Sequence, residues 1–217
     1  MWVISMSSTK GGGGKTTLAA HLAVEAVKHT SGPVAIIDTD PQASLAQWWN
    51  LRQADTPAFV QTTLNGLPAQ LKVLAASGYQ LVVIDTPGAD VSFTRSILKH
   101  CDLAIVPSRP SPLDLGTLTR TVEMIEAEGK SLVFVLNAVT PRTKISAQAM
   151  MALSQHGPVA GMIHQRTDYA AAMTDGRVAG ELDPSSRSAE EIAQLWAAVS
   201  SYLRKHAKPH GSEKASA

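Results

Sequence analysis

Cysteine occurs once in this 217-residue chain, at Cys101, and aromatic residues make up only 5% of it. A single thiol excludes an internal disulfide framework and a cysteine-built metal or iron–sulfur centre. Cys101 is expected to be a small buried hydrophobe just before a strand. Long hydrophobic runs are also missing: no stretch approaches the roughly 18 apolar residues that cross a bilayer. Lys10 and the glycines after it interrupt the N-terminus before the hydrophobic core of a secretory leader could form, so a cytoplasmic protein is expected. Charge of one sign is scarce too, because 19 Lys and Arg against 18 Asp and Glu leave a net +1. Any attraction to nucleic acid must then come from a local patch, or from two patches summed in a dimer.

What is present is a series of short apolar runs between helix-like stretches. Trp2-Val3-Ile4, Val34-Ala35-Ile36-Ile37, Leu81-Val82-Val83-Ile84, Leu103-Ala104-Ile105-Val106 and Leu132-Val133-Phe134-Val135-Leu136 lack polar alternation, and Ala160-Gly161-Met162-Ile163 is a weaker run of the same kind. Such runs suit strands buried on both faces. Helical stretches are expected over Thr16–His29, Leu115–Glu128 and Ala147–Gln155. The alternation predicts an α/β fold, a doubly wound, mainly parallel sheet with helices on both faces and ligands at the carboxyl ends of its strands. Length and composition predict a single domain over 1–205 and a polar, disordered tail over 206–217. Ser188-Ala189-Glu190-Glu191 reads as a capping box opening the last helix, with Trp196 on its core-facing stripe.

The densest chemistry lies at Lys10-Gly11-Gly12-Gly13-Gly14-Lys15-Thr16-Thr17, between the first strand and the first helix. Glycines let backbone N–H groups converge on phosphate oxygens, and the helix adds its unpaired N–H groups and the positive end of its dipole. Lys15 matches the P-loop lysine that reaches the terminal phosphates, and Thr16 the hydroxyl that ligates Mg²⁺. The second strand runs into Asp38-Thr39-Asp40-Pro41-Gln42, two carboxylates able to organise Mg²⁺ and orient a water. The next strand ends in Ile84-Asp85-Thr86-Pro87-Gly88, where a rigid strand delivers Asp85 to the Mg²⁺ shell. Asn137, at a later strand end, can read adenine through its amide or cap the strand. The GTPase Asn-Lys-x-Asp pattern is missing there. In the proline-rich turn Val106–Asp114, Asp114 is a candidate N-cap.

A lysine immediately before the paired glycines resembles the deviant Walker A signature of the ParA/MinD family of dimeric P-loop ATPases, and Asp38-Thr39-Asp40-Pro41-Gln42 resembles its switch I. The resemblance extends from Val3 through the final helix and is nearest to small plasmid partition ATPases. It implies ATP and Mg²⁺ as cofactors, with Lys10 crossing a homodimer interface to the partner's ATP. It also implies that Asp40 positions the attacking water, that Asp38 lies near the Mg²⁺ shell, and that Pro110 and Asp114 lie near nucleotide and dimer face. Nonspecific, ATP-dependent DNA binding is implied as well, with Arg166 the first candidate contact and Arg187 and Arg204 next. A centromere-binding or cargo adaptor protein would stimulate slow hydrolysis at the nucleoid. The cargo expected is plasmid DNA, with chemoreceptor clusters or carboxysomes as alternatives. The P-loop begins too early for the N-terminal helix-turn-helix of larger partition ATPases, and Lys205–Gly211 does not supply a MinD-like membrane helix. The alternative is an ATP-dependent biosynthetic ligase of the cobyrinate amidase or dethiobiotin synthetase type, which would need a substrate pocket facing the γ-phosphate.

Overall fold

Each apolar run becomes a strand, because residues without polar alternation bury their side chains only where both faces of the sheet are covered. The computed structural model describes residues 1–88 and 90–206. In chain order these form β1 (Trp2–Met6), α1 (Lys15–Val27), β2 (Val34–Asp38), α2 (Ser44–Leu51), β3 (Ala58–Phe59), α3 (Leu67–Ala76), β4 (Leu81–Asp85), α4 (Val91–Leu98), β5 (Leu103–Ser108), α5 (Pro112–Leu115), α6 (Leu118–Ala127), β6 (Ser131–Val139), α7 (Lys144–His156), β7 (Val159–His164), α8 (Thr167–Met173), α9 (Ala179–Leu182) and α10 (Arg187–His206). The strands make one seven-stranded sheet, ordered β3-β2-β4-β1-β5-β6-β7, and all its pairings are parallel. The doubly wound α/β arrangement expected from the sequence is the one found.

Alternate residues of each strand feed opposite layers. Ile4, Met6, Ile36, Val83, Ile105, Val133 and Val135 pack with Leu18 and Leu22 of α1 and with Ile192, Trp196 and Val199 of α10. On the other face, Ala104, Val106, Phe134 and Leu136 pack with α6 and α7, while Val3, Ile37, Val82 and Ile84 pack with α3 and α4. Trp196 is core, as expected, and Cys101 is buried just before β5. Burial pushes the Cys101 thiol up to about 12, so it stays protonated and inert.

Two local expectations change. The N-terminal cap of α10 is Ser186, whose Oγ accepts from the Ala189 N–H at 3.1 Å; Ser188 is buried and donates to Asp168 at 2.7 Å. Glu191 turns away from the helix start toward β7 and α8. The helix α10 runs through His206, the first residue of the expected tail, and residues 207–217 lie outside the described residues.

The topology places the motifs. β1 is the strand where the sheet order reverses, with β4 on one side and β5 on the other. The loops leaving β1, β2, β4, β5 and β6 therefore gather at one edge, in the crevice that doubly wound sheets use for ligands.

Candidate functional site

The glycine turn has the shape of an anion cradle. Gly12 and Gly14 sit at φ 79° and 94°, a region that suits glycine. Gly14 is also the N-cap of α1, and a Cβ there would land on the Asn137 amide nitrogen. No side chain caps α1 and its first turn holds no acidic residue. The first N–H groups of that helix are thus left for an anion, as is the positive end of its dipole. Gly88, after β4, packs against the backbone of Lys10 and Gly11 so closely that a Cβ would lie 3.0 Å away. The loop after β4 therefore touches the cradle itself.

Lys15 is 7% exposed and folds under the loop, its Nζ 3.4 Å from both Ser8 Oγ and the Lys10 carbonyl oxygen. Burial lowers its pKa, opposed by the nearby charges of Asp85 and Asp40. Thr16 Oγ1 donates to Asp85 Oδ2 at 2.5 Å. The other Asp85 oxygen, Oδ1, is buried and has no hydrogen-bond partner among the described residues. Burial pushes this carboxyl up to about 7, against the hydrogen bond from Thr16. An unpartnered buried carboxylate oxygen beside a hydroxyl, under a phosphate cradle, fits a hard divalent cation that keeps several waters.

Asp38 ends β2 directly opposite Asp85 of β4, close enough for its charge to help raise the Asp85 pKa. Its Oδ1 accepts from the Asp40 N–H at 3.0 Å and its Oδ2 from the Ala46 N–H at 2.9 Å. Both oxygens thus also brace the turn into α2 beside the cation position. Asp40 is half-buried, with Oδ1 held by the Gln42 N–H at 2.9 Å. Thr39 ties this turn to β4 by donating from N and Oγ1 to the Asp85 carbonyl oxygen at 3.0 and 2.5 Å. Beside Asp38 and Asp40 lies an open cavity of about 460 Å³, closed on its far side by Phe59, Gln61, Thr62 and Thr63.

Lys10 and Asp114, separate in the sequence reading, meet in an ion pair at 2.9 Å. Asp114 is not the cap of its helix: Ser111 is the N-cap of α5, and Ser111 Oγ also bonds Asp114 Oδ2 at 2.5 Å. Pro110 is half-buried at the start of this turn. Asn137 Nδ2 donates to the Gly13 carbonyl oxygen at 2.8 Å, so the amide braces the P-loop from β6.

A cleft of about 190 Å³ opens beside the cradle between Gly14, Asn137, Arg109, His164, Arg166 and Tyr169. Arg166 lines this cleft and is paired with Glu191 of α10, with Nη2 to Oε1 at 2.6 Å. The other two arginines expected to touch DNA are exposed and far apart. Arg187 opens α10 near Glu191, whereas Arg204 lies about 25 Å along the same helix, at 1.5 Å per residue, beside the opposite edge of the sheet. The three do not form one patch.

Residues 4–178 match the family described as the CobQ/CobB/MinD/ParA nucleotide binding domain. The chain belongs to this family. Among its ParA/MinD-type relatives, a Halothiobacillus neapolitanus protein named "Maintenance of carboxysome distribution protein A" is 31% identical over 205 residues, 89% of this chain and 94% of that one. A protein of the same name from Gloeobacter kilaueensis is 36% identical over 160 residues, 71% of this chain and 72% of that one. The ATP complex of a Cyanothece McdA variant superposes with a TM-score of 0.71 at 19% identity, covering 92% of this chain and 95% of that one.

Two groups in this ParA/MinD-type chain escaped the sequence reading. Glu191 gathers four hydrogen-bonding groups from β7, its following loop and α8, and only its apparent place in a capping box marked it. His21 lies one turn past Thr17 on α1, 1% exposed, with nothing in its helical setting to distinguish it from ordinary core. Its Nε2 accepts from the Ala179 N–H at 3.1 Å, so Nδ1 carries the proton and donates to the Thr17 carbonyl oxygen at 2.8 Å.

Burial holds the His21 pKa down at about 4. In the unfolded chain it titrates near 6.5, so between those values the unfolded state binds a proton that the folded state refuses. His21 should therefore cost roughly 3 kcal/mol of stability as pH falls from about 6.5 to about 4. Asp85 acts with the opposite sign over an overlapping range, because its folded pKa is raised. The His21 share is isolated by comparing wild type with His21→Gln in urea unfolding at about pH 7 and about pH 4.5. Identical pH dependence in the two proteins would remove the histidine from this role.

Proposed function

We propose that the chain is an ATP-driven positioning switch. ATP joins two copies face to face, the pair holds DNA without sequence preference, and an adaptor protein stimulates slow hydrolysis that releases it. The observation that carries this reading is the contrast between the two lysines of the glycine loop. Lys15 is buried beneath its own cradle, whereas the Lys10 side chain is 38% exposed at the rim. Lys15 is thus suited to phosphates bound in the same chain, and Lys10 to those of a facing copy.

In this mechanism the α1 N-terminus and Lys15 hold the negative charge of the phosphates. Asp40 accepts a hydrogen bond from the attacking water and aligns it, while Asp38 keeps Asp40 in place through the backbone of the turn. Thr16 and Asp85 would hold Mg²⁺, which when bound would supply positive charge against that of the phosphates. Lys10 must leave Asp114 before it can cross to a partner, so dimerisation exchanges one ion pair for another. Asn137, with one N–H committed to Gly13, keeps Oδ1 as an acceptor, which suits the amino group of adenine. The exposed Arg187 and Arg204 on α10 supply phosphate contacts, doubled in the dimer.

The names of the two relatives above 30% identity support a carboxysome as cargo, in place of the plasmid first expected. A second reading is favoured by the cavity beside Asp40: it could seat a small acid facing the γ-phosphate, as an ATP-dependent ligase requires. The discriminating measurement is retention of the purified chain on DNA with ADP and with ATP plus Mg²⁺, titrated with salt. Binding only with ATP, falling steeply as salt rises, is the expected result. Binding indifferent to nucleotide, or none at all, would sink the DNA-clamp reading, and hydrolysis that required a small carboxylic acid would establish the ligase.

A further inference from the structure

The nucleotide cleft has two unlike walls. On the P-loop side stand Gly14, which has no side chain, and Asn137, whose amide nitrogen is held by the Gly13 carbonyl oxygen. The facing wall is built from the end of β7 and the start of α8, and a single carboxylate from α10 organises it. Glu191 Oε1 accepts from Arg166 Nε at 3.2 Å, from Arg166 Nη2 at 2.6 Å and from His164 Nδ1 at 2.8 Å. Its Oε2 accepts from the His164 N–H at 3.1 Å, and the Tyr169 hydroxyl is shared between Oε2 at 3.0 Å and the Ser188 carbonyl oxygen at 3.2 Å. Tyr169 in turn stands edge-on to His21, with ring centroids 5.2 Å apart.

This arrangement is more than a staple between β7 and α10. Holding Arg166 by Nε and Nη2 along one edge fixes the plane of its guanidinium and leaves Nη1 without a partner among the described residues. The Arg166 side chain is 26% exposed, and the residue lines the cleft. A planar, weakly hydrated cation held at the mouth of a purine-sized slot offers a stacking surface that a point charge does not.

We infer that Glu191 is the positioning residue for base recognition: it sets the Arg166 guanidinium as a fixed plane against which the purine of a nucleoside triphosphate stacks. This rests on the nucleotide-switch reading above and assigns Arg166 to the nucleotide instead of to DNA. Both Glu191 oxygens are engaged by His164, Arg166 and Tyr169, and none of these belongs to the glycine loop. Loss of Glu191 should weaken the base-dependent part of binding and spare the phosphate-dependent part.

The test compares equilibrium affinities for ATP and for inorganic tripolyphosphate, both with Mg²⁺, in the full chain and in Glu191→Gln, Arg166→Ala and Arg166→Lys. All three variants are expected to bind ATP about tenfold more weakly and tripolyphosphate unchanged. Arg166→Lys belongs with Arg166→Ala, because the ammonium keeps the charge and loses the plane. If Glu191→Gln loosens the fold, the two Arg166 variants still decide the matter. Unchanged ATP affinity in the Arg166 variants, or a parallel loss of ATP and tripolyphosphate in all three, would overturn the inference. Equal wild-type affinity for the two ligands would also overturn it while leaving the phosphate cradle standing. A wild-type chain that bound neither would remove the cradle as well.

Discussion

Lys15→Ala is expected to bind ATP at least about a hundredfold more weakly than the wild type, a loss of roughly 3 kcal/mol. The size of the effect follows from where the ammonium sits. It is buried beneath the loop, near two neutral oxygens at 3.4 Å and the negative fields of Asp85 and Asp40. A phosphate entering the cradle meets a cation already desolvated and aimed at it, and in such surroundings each charge-assisted hydrogen bond is worth more than in water. Alanine removes that partner and leaves phosphate oxygens facing two carboxylates with one fewer positive charge. Titration calorimetry with ATP and Mg²⁺ reads the loss directly. Wild-type affinity in this variant would contradict the P-loop assignment, since no other buried cation lies beneath the glycine turn among the described residues.

Asp40→Ala should leave ATP affinity within about threefold of wild type and slow hydrolysis about a hundredfold or more. Asp40 sits on the turn after β2, outside the glycine loop, and its backbone N–H is held by Asp38 Oδ1. The backbone of switch I therefore keeps its brace when the Asp40 side chain is cut back, and the phosphate cradle is untouched. What is lost is the carboxylate that orients water. Phosphate release and equilibrium nucleotide binding, measured on the same preparation, separate the two effects. In the presence of ATP the variant should also accumulate as the dimer, readable by light scattering. Normal turnover in Asp40→Ala would take Asp40 out of catalysis, and lost ATP binding would make it a structural residue of the cradle.

Much of this site could be read along the chain because its signals are local. A strand, a glycine turn and a helix form an anion cradle within consecutive residues, and Gly12 and Gly14 adopt the positive φ that their lack of a Cβ permits. Asp85 could be placed because four apolar residues of β4 lead straight to it. The bracing role of Asp38 could not, because an aspartate at a strand end shows nothing of which N–H groups will reach it. The turn brings the Asp40 N–H and α2 the Ala46 N–H to its two oxygens. The pairing of Arg166 with Glu191 was hidden for a related reason. A basic residue in a polar stretch looks like a solvated contact until a carboxylate 25 positions later closes on it.

The sequence by itself determined the apolar strand runs, the order of the nucleotide motifs and the mainly parallel, doubly wound class of the sheet, because hydrophobic pattern and glycine turns act over a few residues. Only the tertiary structure decided which charges meet. Lys10 finds Asp114, Asn137 braces Gly13, and Glu191 gathers His164, Arg166 and Tyr169. Those pairings join residues distant along the chain. They exist because the sheet order sets the loops after β1, β5, β6 and β7 along one edge, where buried or half-buried polar groups must satisfy one another.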